Sequence, residues 1–131
     1  MKEDIQIPKV TNVFMAVVKE YNPTFRTDDW NVYIINNKSI ELELVLIVSS
    51  GSDDVDNTST MRHKIKLMPP NSYAKVELIQ PELFKLNNVF KVSFFADNKL
   101  FEKTFVFEKG TIKDGALRLI SQLNKKGILI K

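Results

Sequence analysis

Cysteine is absent from the 131 residues of this chain, which excludes disulfides, thiol catalysis and zinc sites built on thiolates. Histidine occurs once, as His63, so a site built on two imidazoles is excluded as well. The 4 glycines form neither a phosphate-binding loop nor a dinucleotide-binding fingerprint. A G-x-S-x-G nucleophile elbow is also missing. We therefore predict a protein that is not an enzyme and carries no cofactor or metal.

Long apolar runs are absent too. The longest span about six residues, whereas a helix that crosses a bilayer needs about 20. The N-terminal stretch MKEDIQIPKV carries acidic residues where a secretory signal would be apolar. Because the chain has no cysteine that would need an oxidising compartment, the sequence predicts a cytoplasmic protein without a membrane partner. A leader removed before this sequence begins stays an open alternative.

Arginine is scarce, with Arg26, Arg62 and Arg118 its only occurrences. The net charge is +3, from 19 lysines and arginines against 16 acidic residues. Surfaces that bind nucleic acid cluster their basic residues and usually include arginine. Lysine spread along the chain is more typical of a solvated surface, so nucleic acid is the less favoured partner.

Period-2 alternation of apolar and polar residues, rich in β-branched and aromatic types, dominates the rest of the chain. It predicts an all-β fold, an antiparallel immunoglobulin-like β-sandwich of about seven strands. Residues 81–86, PELFKL, predict a short helical turn between the fifth and sixth strands, because proline suits the first helical position. The predicted strands are 10–21, 29–36, 40–49, 60–68, 73–80, 88–96 and 100–108.

The length suits one domain over residues 1–131. Residues 10–110 form its predicted core, with 9 phenylalanines in the chain to fill it. Residues 111–131 are an irregular C-terminal tail that packs on the sandwich. The tail is ambiguous, because Leu117, Ile120 and Leu123 have helical spacing while the stretch GILI suits a strand.

Short loops predict that neighbouring strands pair directly. Ile34 would then lie opposite Leu42, and Lys64 opposite Glu77. The last two strands predict a hairpin around the tripeptide DNK. Strict alternation also predicts the inner faces of the third and fourth strands. These inner residues are Ile40, Leu42, Leu44 and Leu46 on the third strand and Met61, His63, Ile65 and Leu67 on the fourth.

Several strands are apolar on both faces, although a sheet covered on one side would be polar on the other. Two interpretations of this second apolar face stay open. The tail covers it through Leu117, Leu119, Ile120 and Leu123, or it is a surface for self-association or for a protein partner. The candidate interaction residues are Val13, Met15, Val17, Tyr33, Ile35, Val45 and Ile47.

His63 has two interpretations. It is a general base or metal ligand, or it is a half-buried histidine with a backbone partner; the second is favoured because no other histidine or cysteine accompanies it. The loop 51–57 clusters Asp53, Asp54 and Asp56, and a calcium site there is conceivable. The loop lacks the order of ligands found in an EF-hand, so a solvated loop is favoured.

A basic face offers the alternative function, RNA binding. Arg62, Lys64 and Lys66 alternate on the outer face of the fourth strand, and Tyr73 and Lys75 follow on the fifth. Phe95 adds a weak signal, because it points away from the row of Phe90 and Phe94.

Four stretches, WNVYIIN, STMRHKIKLMPPNS, PELFKLNNVF and FFADNKLFEKTF, lie within roughly residues 28–110. Together they resemble a family of short bacterial β-sandwich proteins without an assigned activity, some of which carry a phenylalanyl-tRNA synthetase alpha-subunit label. The resemblance implies a stand-alone β-sandwich and assigns no functional residues. This chain lacks the length and the arginines that a synthetase core needs.

The leading prediction is therefore a non-enzymatic binding or interaction module. It would use the apolar second face or the loops at one end of the sandwich, with a protein partner or a homodimer and no evident small-molecule substrate. The alternative is an RNA-associated accessory protein.

Overall fold

The computed structural model describes residues 8–53 and 57–131, and within them two antiparallel sheets pack face to face. The helical segments of this part are the 3₁₀ turns Pro81–Lys85 and Asp114–Ala116, and no described helix has the length and apolar content needed to cross a bilayer. The strands are β1 (Val13–Asn22), β2 (Thr27–Asn36), β3 (Leu42–Ser52), β4 (Met61–Met68), β5 (Ser72–Leu78), β6 (Asn87–Ala96), β7 (Lys99–Phe107), β8 (Arg118–Ile120) and β9 (Lys125–Ile130).

The strand order confirms the prediction of an all-β, immunoglobulin-like sandwich. One sheet has the order β5-β2-β1-β9-β8 and the other β4-β3-β6-β7. The chain crosses between the sheets after β2, after β4, after β5 and after β7, and the first three crossings are those of a Greek-key sandwich. The seven predicted strands and the helical turn are present with ends shifted by a few residues. β8 and β9 are additional, and they extend the first sheet beyond β1.

The prediction that strands neighbouring in sequence pair directly was wrong at two loops, those after β2 and after β4. Ile34 on β2 lies opposite Met15 on β1 and Ala74 on β5. Leu42 on β3 instead lies opposite Met68 on β4. The loop after β2 therefore changes sheets rather than closing a hairpin.

The pairing of β4 with β5 was also wrong. Lys64 lies opposite Leu46 on β3, while Glu77 lies opposite Val32 on β2. β4 and β5 are edge strands of different sheets on the same side of the sandwich. The loop between them is the second crossing.

Asn36, at the end of β2, explains why these two loops cross. Its side chain is fully buried, and Nδ2 donates hydrogen bonds to the carbonyl oxygens of Ile40 at 3.0 Å and Pro69 at 2.9 Å. Its Oδ1 accepts a hydrogen bond from the backbone N–H of Lys38 at 3.1 Å. One amide thus joins the two crossing loops, and it satisfies backbone groups that a buried loop would otherwise leave unpaired.

The hairpin of β6 and β7 has the predicted position. Asp97 and Asn98 both have positive φ, 50° and 59°, as a two-residue type I′ turn requires, and these residue types tolerate that conformation. Phe94 pairs with Phe101 across the strands, and their rings stack with centroids 5.3 Å apart. The hairpin supplies much of the aromatic core between the sheets.

Alternation breaks near the start of β3. Leu44 has a φ of 49°, and the register of β3 against β6 shifts between Glu43 and Leu46, which marks a β-bulge. Before the bulge Leu42 faces the core, and after it Val45 and Ile47 do. The prediction that Leu44 and Leu46 face inward was therefore wrong.

The alternation of inward and outward side chains on β4 breaks beside the bulge. Leu67 is exposed while Met68 is buried, so the prediction of an inward Leu67 was also wrong. Met61, at the beginning of β4, is exposed as well. His63 and Ile65 are half-buried between the exposed Lys64 and Lys66, as alternation predicted.

The tail forms strands rather than a helix. β9 pairs with β1, where Gly127 lies opposite Val18, and a Cβ at Gly127 would come within 2.5 Å of the Val17 carbonyl oxygen. Ile120 and Leu123 close a second apolar cluster on the outer face of the five-stranded sheet. This cluster also contains Phe14, Ala16, Val18, Tyr33 and Ile35.

The tail therefore covers the second apolar face, as one of the two interpretations held. Two of the predicted contacts do not contribute to it. Leu117 packs against the main core instead, and Leu119 is exposed.

Candidate functional site

The predicted interaction residues do not form one surface. Five of them lie in the core between the sheets, and Tyr33 and Ile35 belong to the cluster on the outer face of the five-stranded sheet. All seven are buried, the most exposed being Tyr33 at 6%. The bulge at Leu44 turns the two β3 residues inward, the tail covers the two β2 residues, and the three β1 residues face the core directly. The five core members are Val13, Met15, Val17, Val45 and Ile47.

The predicted basic face is divided between two sides of the sandwich. Its members on β4 are exposed on the four-stranded sheet. Tyr73 and Lys75 lie on β5 in the other sheet, where the Tyr73 ring contacts the Tyr33 ring at 5.9 Å between centroids. A contiguous surface of Arg62, Lys64, Lys66, Tyr73 and Lys75 was therefore a wrong prediction, because β4 and β5 do not pair.

An apolar patch is exposed on the outer face of the four-stranded sheet. The pairings place Leu67 opposite Glu43, Glu43 opposite Phe95, and Phe95 opposite Leu100, so one row crosses all four strands. Leu44 joins this row because of the bulge. We call Leu44, Leu67, Phe95 and Leu100 the outer patch; they are 63%, 46%, 40% and 45% exposed.

Basic side chains flank the outer patch. The adjoining rows of the same face contain Lys64 opposite Leu46 and Arg62 opposite Val48, and Val48 also pairs with Lys91. A groove of about 390 Å³ runs here, lined mainly by leucine, isoleucine and lysine side chains. Arg62, Lys64, Lys66 and Lys91 form no ion pair with another described residue. The outer patch is thus an apolar surface interrupted by Glu43, and its border has more basic residues than acidic ones.

A second polar group lies between the sheets, at the side where β4 and β5 form the edges. Glu77 Oε1 accepts a hydrogen bond from Ser49 Oγ at 2.6 Å and lies 2.9 Å from His63 Nε2. The partner of His63 is therefore a carboxylate and not the predicted backbone group. In serine hydrolases the imidazole contacts the serine hydroxyl, whereas here the carboxylate separates the two. This arrangement does not activate Ser49 as a nucleophile.

A third polar group surrounds Glu20 near the end of β1. Its carboxylate accepts hydrogen bonds from Tyr33 Oη at 2.6 Å and Asn31 Nδ2 at 2.8 Å, and Lys125 Nζ lies 3.0 Å away. Burial raises the pKa of Glu20, but these hydrogen bonds and the charge of Lys125 lower the pKa by more, so it lies below its ordinary value. Burial first, and then Glu20, raise the pKa of Tyr33. This network fastens β9 and β2 to β1.

The predicted acidic loop lies partly outside the described residues, since Asp54 and Asp56 do so. Among residues 8–53 and 57–131, no three histidine or acidic side chains are grouped as metal ligands would be. The predicted N-terminal features up to residue 7 also lie outside the described part.

No protein-family model, no curated protein and no solved structure matches this chain. The resemblance to short bacterial β-sandwich proteins therefore stays a prediction. The roles of the residues must be inferred from their geometry alone.

The outer patch is the feature that sequence reasoning missed. The stretch LELVLIV of β3 is apolar at both phases, so alternation alone cannot say which phase faces the core. One signal was available. Phe95 directly follows the inward Phe94 and so takes an outward position, which was interpreted from the sequence only as a weak sign of RNA binding.

Proposed function

We propose that this protein is a non-enzymatic interaction module that binds an acidic protein surface through the outer patch. The observation that carries the proposal is the set of exposed apolar residues on β4, β6 and β7, which Leu44, 63% exposed, joins at the bulge of β3. Contiguous exposed apolar surface bordered by polar residues is typical of contact sites.

The outer face of the other sheet already has a cover. The outer face of the five-stranded sheet is occupied by Ile120 and Leu123 of the tail. No comparable cover is present over the outer patch among the described residues. This contrast between the two outer faces favours the four-stranded sheet as the binding surface.

The free edges of the four-stranded sheet are poor contact sites. β4 carries Arg62, Lys64 and Lys66 on one edge. On the other edge, Lys103 of β7 is half-buried, with its ammonium 4.9 Å from the centre of the Phe105 ring. Charged edge strands and inward-pointing lysines discourage strand-to-strand association. Binding to the face of the sheet is therefore favoured over strand addition.

Charge indicates the chemistry of the partner. The outer face carries Arg62, Lys64, Lys66 and Lys91, against Glu43 and Glu102. Complementary charge steers association and suppresses wrong partners. A second copy would bring the same cationic excess to the interface, so an acidic partner is favoured over a homodimer.

RNA binding is supported less well, because Tyr73 and Lys75 lie on the opposite sheet from the basic strand. Phe95 is then the one exposed aromatic among the lysines of this face within the described residues. A cytoplasmic location fits the lack of cysteine. The resemblance to stand-alone bacterial β-sandwich proteins fits a binding role.

Three variants test the proposal by capture of partners from cell extract. Leu44→Ser with Phe95→Ser removes apolar contacts, and Lys64→Glu with Lys66→Glu reverses the charge. Tyr21→Ser with Phe25→Ser is the matched control, because both aromatics are exposed outside this face. We expect one acidic protein whose affinity for the purified chain falls roughly tenfold or more with each of the first two pairs and is unchanged in the control.

Other outcomes would count against the proposal. A partner that binds all variants equally, or one that is basic, contradicts it. Sedimentation at micromolar concentration detects a dimer, and a dimer abolished by the Leu44 and Phe95 changes would make a second copy the occupant. RNA retained on filters at ~50 mM salt and released at ~200 mM would favour the alternative.

A further inference from the structure

A cavity of about 260 Å³ lies between the two sheets, beside the end of β3 and the 3₁₀ turn Pro81–Lys85. Its apolar wall contains Ile79 and Phe90, both buried, and the half-buried Leu83. Its polar wall contains Ser49, Glu77 and Asn88. It does not overlap the outer patch, so it needs an explanation of its own.

The donors of this polar wall are already used. Ser49 Oγ donates to Glu77 Oε1 at 2.6 Å. Asn88 Nδ2 donates to the carbonyl oxygens of Leu83 at 3.0 Å and Leu86 at 3.2 Å. Among residues 8–53 and 57–131, no hydrogen bond reaches Glu77 Oε2 or Asn88 Oδ1. The cavity therefore offers two side-chain oxygens that can only accept, beside the hydroxyl groups of Ser50 and Ser59.

The cavity contains one carboxylate, that of Glu77. The Glu77 side chain is 13% exposed, and no lysine or arginine nitrogen of the described residues lies within 4 Å of it; its ionisable neighbour is the His63 imidazole. A carboxylate withdrawn from water gains most from a charged donor. A cation that carries N–H groups can donate to both of these acceptors.

We propose that this cavity binds a small primary amine in its ammonium form. The ammonium group donates to Glu77 Oε2 and Asn88 Oδ1, and a short alkyl chain or single ring lies against Ile79, Leu83 and Phe90. The volume falls below the ~300 Å³ at which sites for drug-sized ligands begin, which limits the ligand to a few carbon atoms beyond the amine. The carboxylate disfavours anions, and among the described residues no three histidine or acidic side chains are grouped here as metal ligands would be.

Titration with n-butylammonium, followed through the backbone amide signals of Gly51 and Asn88, tests this site. n-Butanol has a similar length and no charge, and it serves as the ligand control. We expect saturable shifts with n-butylammonium and affinity for n-butanol lower by roughly tenfold or more, since a charge-assisted hydrogen bond is replaced by a neutral one. Equal affinity for the two probes, or no saturable shift at millimolar concentration, would overturn the proposal.

Glu77→Gln removes the charge but keeps an oxygen that accepts from Ser49. We expect this variant to bind n-butylammonium roughly tenfold or more weakly. Glu102→Gln is the matched control, because Glu102 lies on the exposed face of β7, and it should bind like the wild type. If Glu77→Gln binds as tightly as the wild type, the site is refuted. Should that variant not fold, the comparison of the two probes on the wild type decides alone.

Discussion

Replacing Asn36 with alanine tests why this chain forms two sheets with the observed strand order. The fully buried amide makes three hydrogen bonds of 2.9 to 3.1 Å that join the loops after β2 and β4. A hydrogen bond contributes about 0.5–1.5 kcal/mol net, and groups left unpaired in the interior cost more. We therefore expect Asn36→Ala to lower the free energy of unfolding by about 3 kcal/mol.

Equilibrium unfolding in urea, followed by tryptophan fluorescence, measures the loss. Trp30 is buried and is the sole tryptophan of the chain, so it reports on the core. Asn37→Ala is the matched control, because Asn37 is the exposed neighbour, and surface changes usually stay within about 0.5 kcal/mol. If Asn36→Ala is as stable as this control, the amide does not hold the crossings together and our explanation of the strand order fails.

Three further predictions concern stability. Gly127→Ala should destabilise by about 1–3 kcal/mol in urea, since its Cβ would lie 2.5 Å from the Val17 carbonyl oxygen, whereas Gly115→Ala, with open space around it, should not. Leu44→Val should be about 1–2 kcal/mol less stable than Leu44→Gly, because φ at this position is 49°; equal stabilities would contradict strain at the bulge. The lowered pKa of Glu20 contributes stability above its ordinary value of 4.5, which is lost as the pH falls through the folded-state pKa. Glu20→Gln should therefore flatten the acid limb of a stability–pH curve, and an unchanged limb would contradict this.

Alternation predicted the strands well, because each segment buries one face against a phenylalanine- and leucine-rich interior. The hairpin of β6 and β7 was also predictable, since Asp97 and Asn98 suit a type I′ turn. These features depend on local sequence only. The 3₁₀ turn begins at Pro81 for the same kind of reason.

The sheet to which each strand belongs was not predictable in this way. A loop of a few residues after β2 looks like a hairpin, and only the buried contacts of Asn36 with Ile40 and Pro69 make it a crossing. The contact with Pro69 joins residues 33 positions apart in the sequence. The tail was ambiguous for a similar reason, because its strand character depends on pairing between β9 and β1.

The outer patch was not predicted from the sequence because of one residue, Leu44. Leu44 adopts a positive φ that leucine rarely takes. No residue type next to it in the sequence predicts a bulge. The inversion that follows moves Val45 and Ile47 into the core and leaves Leu44 and Leu67 exposed. Five of the seven predicted residues lie on the five-stranded sheet, whereas the outer patch lies on the four-stranded sheet.

A photo-crosslinking residue placed at position 95 tests most directly whether the outer patch binds a partner. Phe95 is 40% exposed at the centre of the four-stranded sheet, and Phe25, 75% exposed between β1 and β2, is the control position. We expect irradiation in cells to join one acidic protein to position 95 and not to position 25. The same protein joined equally at both positions, or only copies of this chain joined at position 95, would contradict the proposed function.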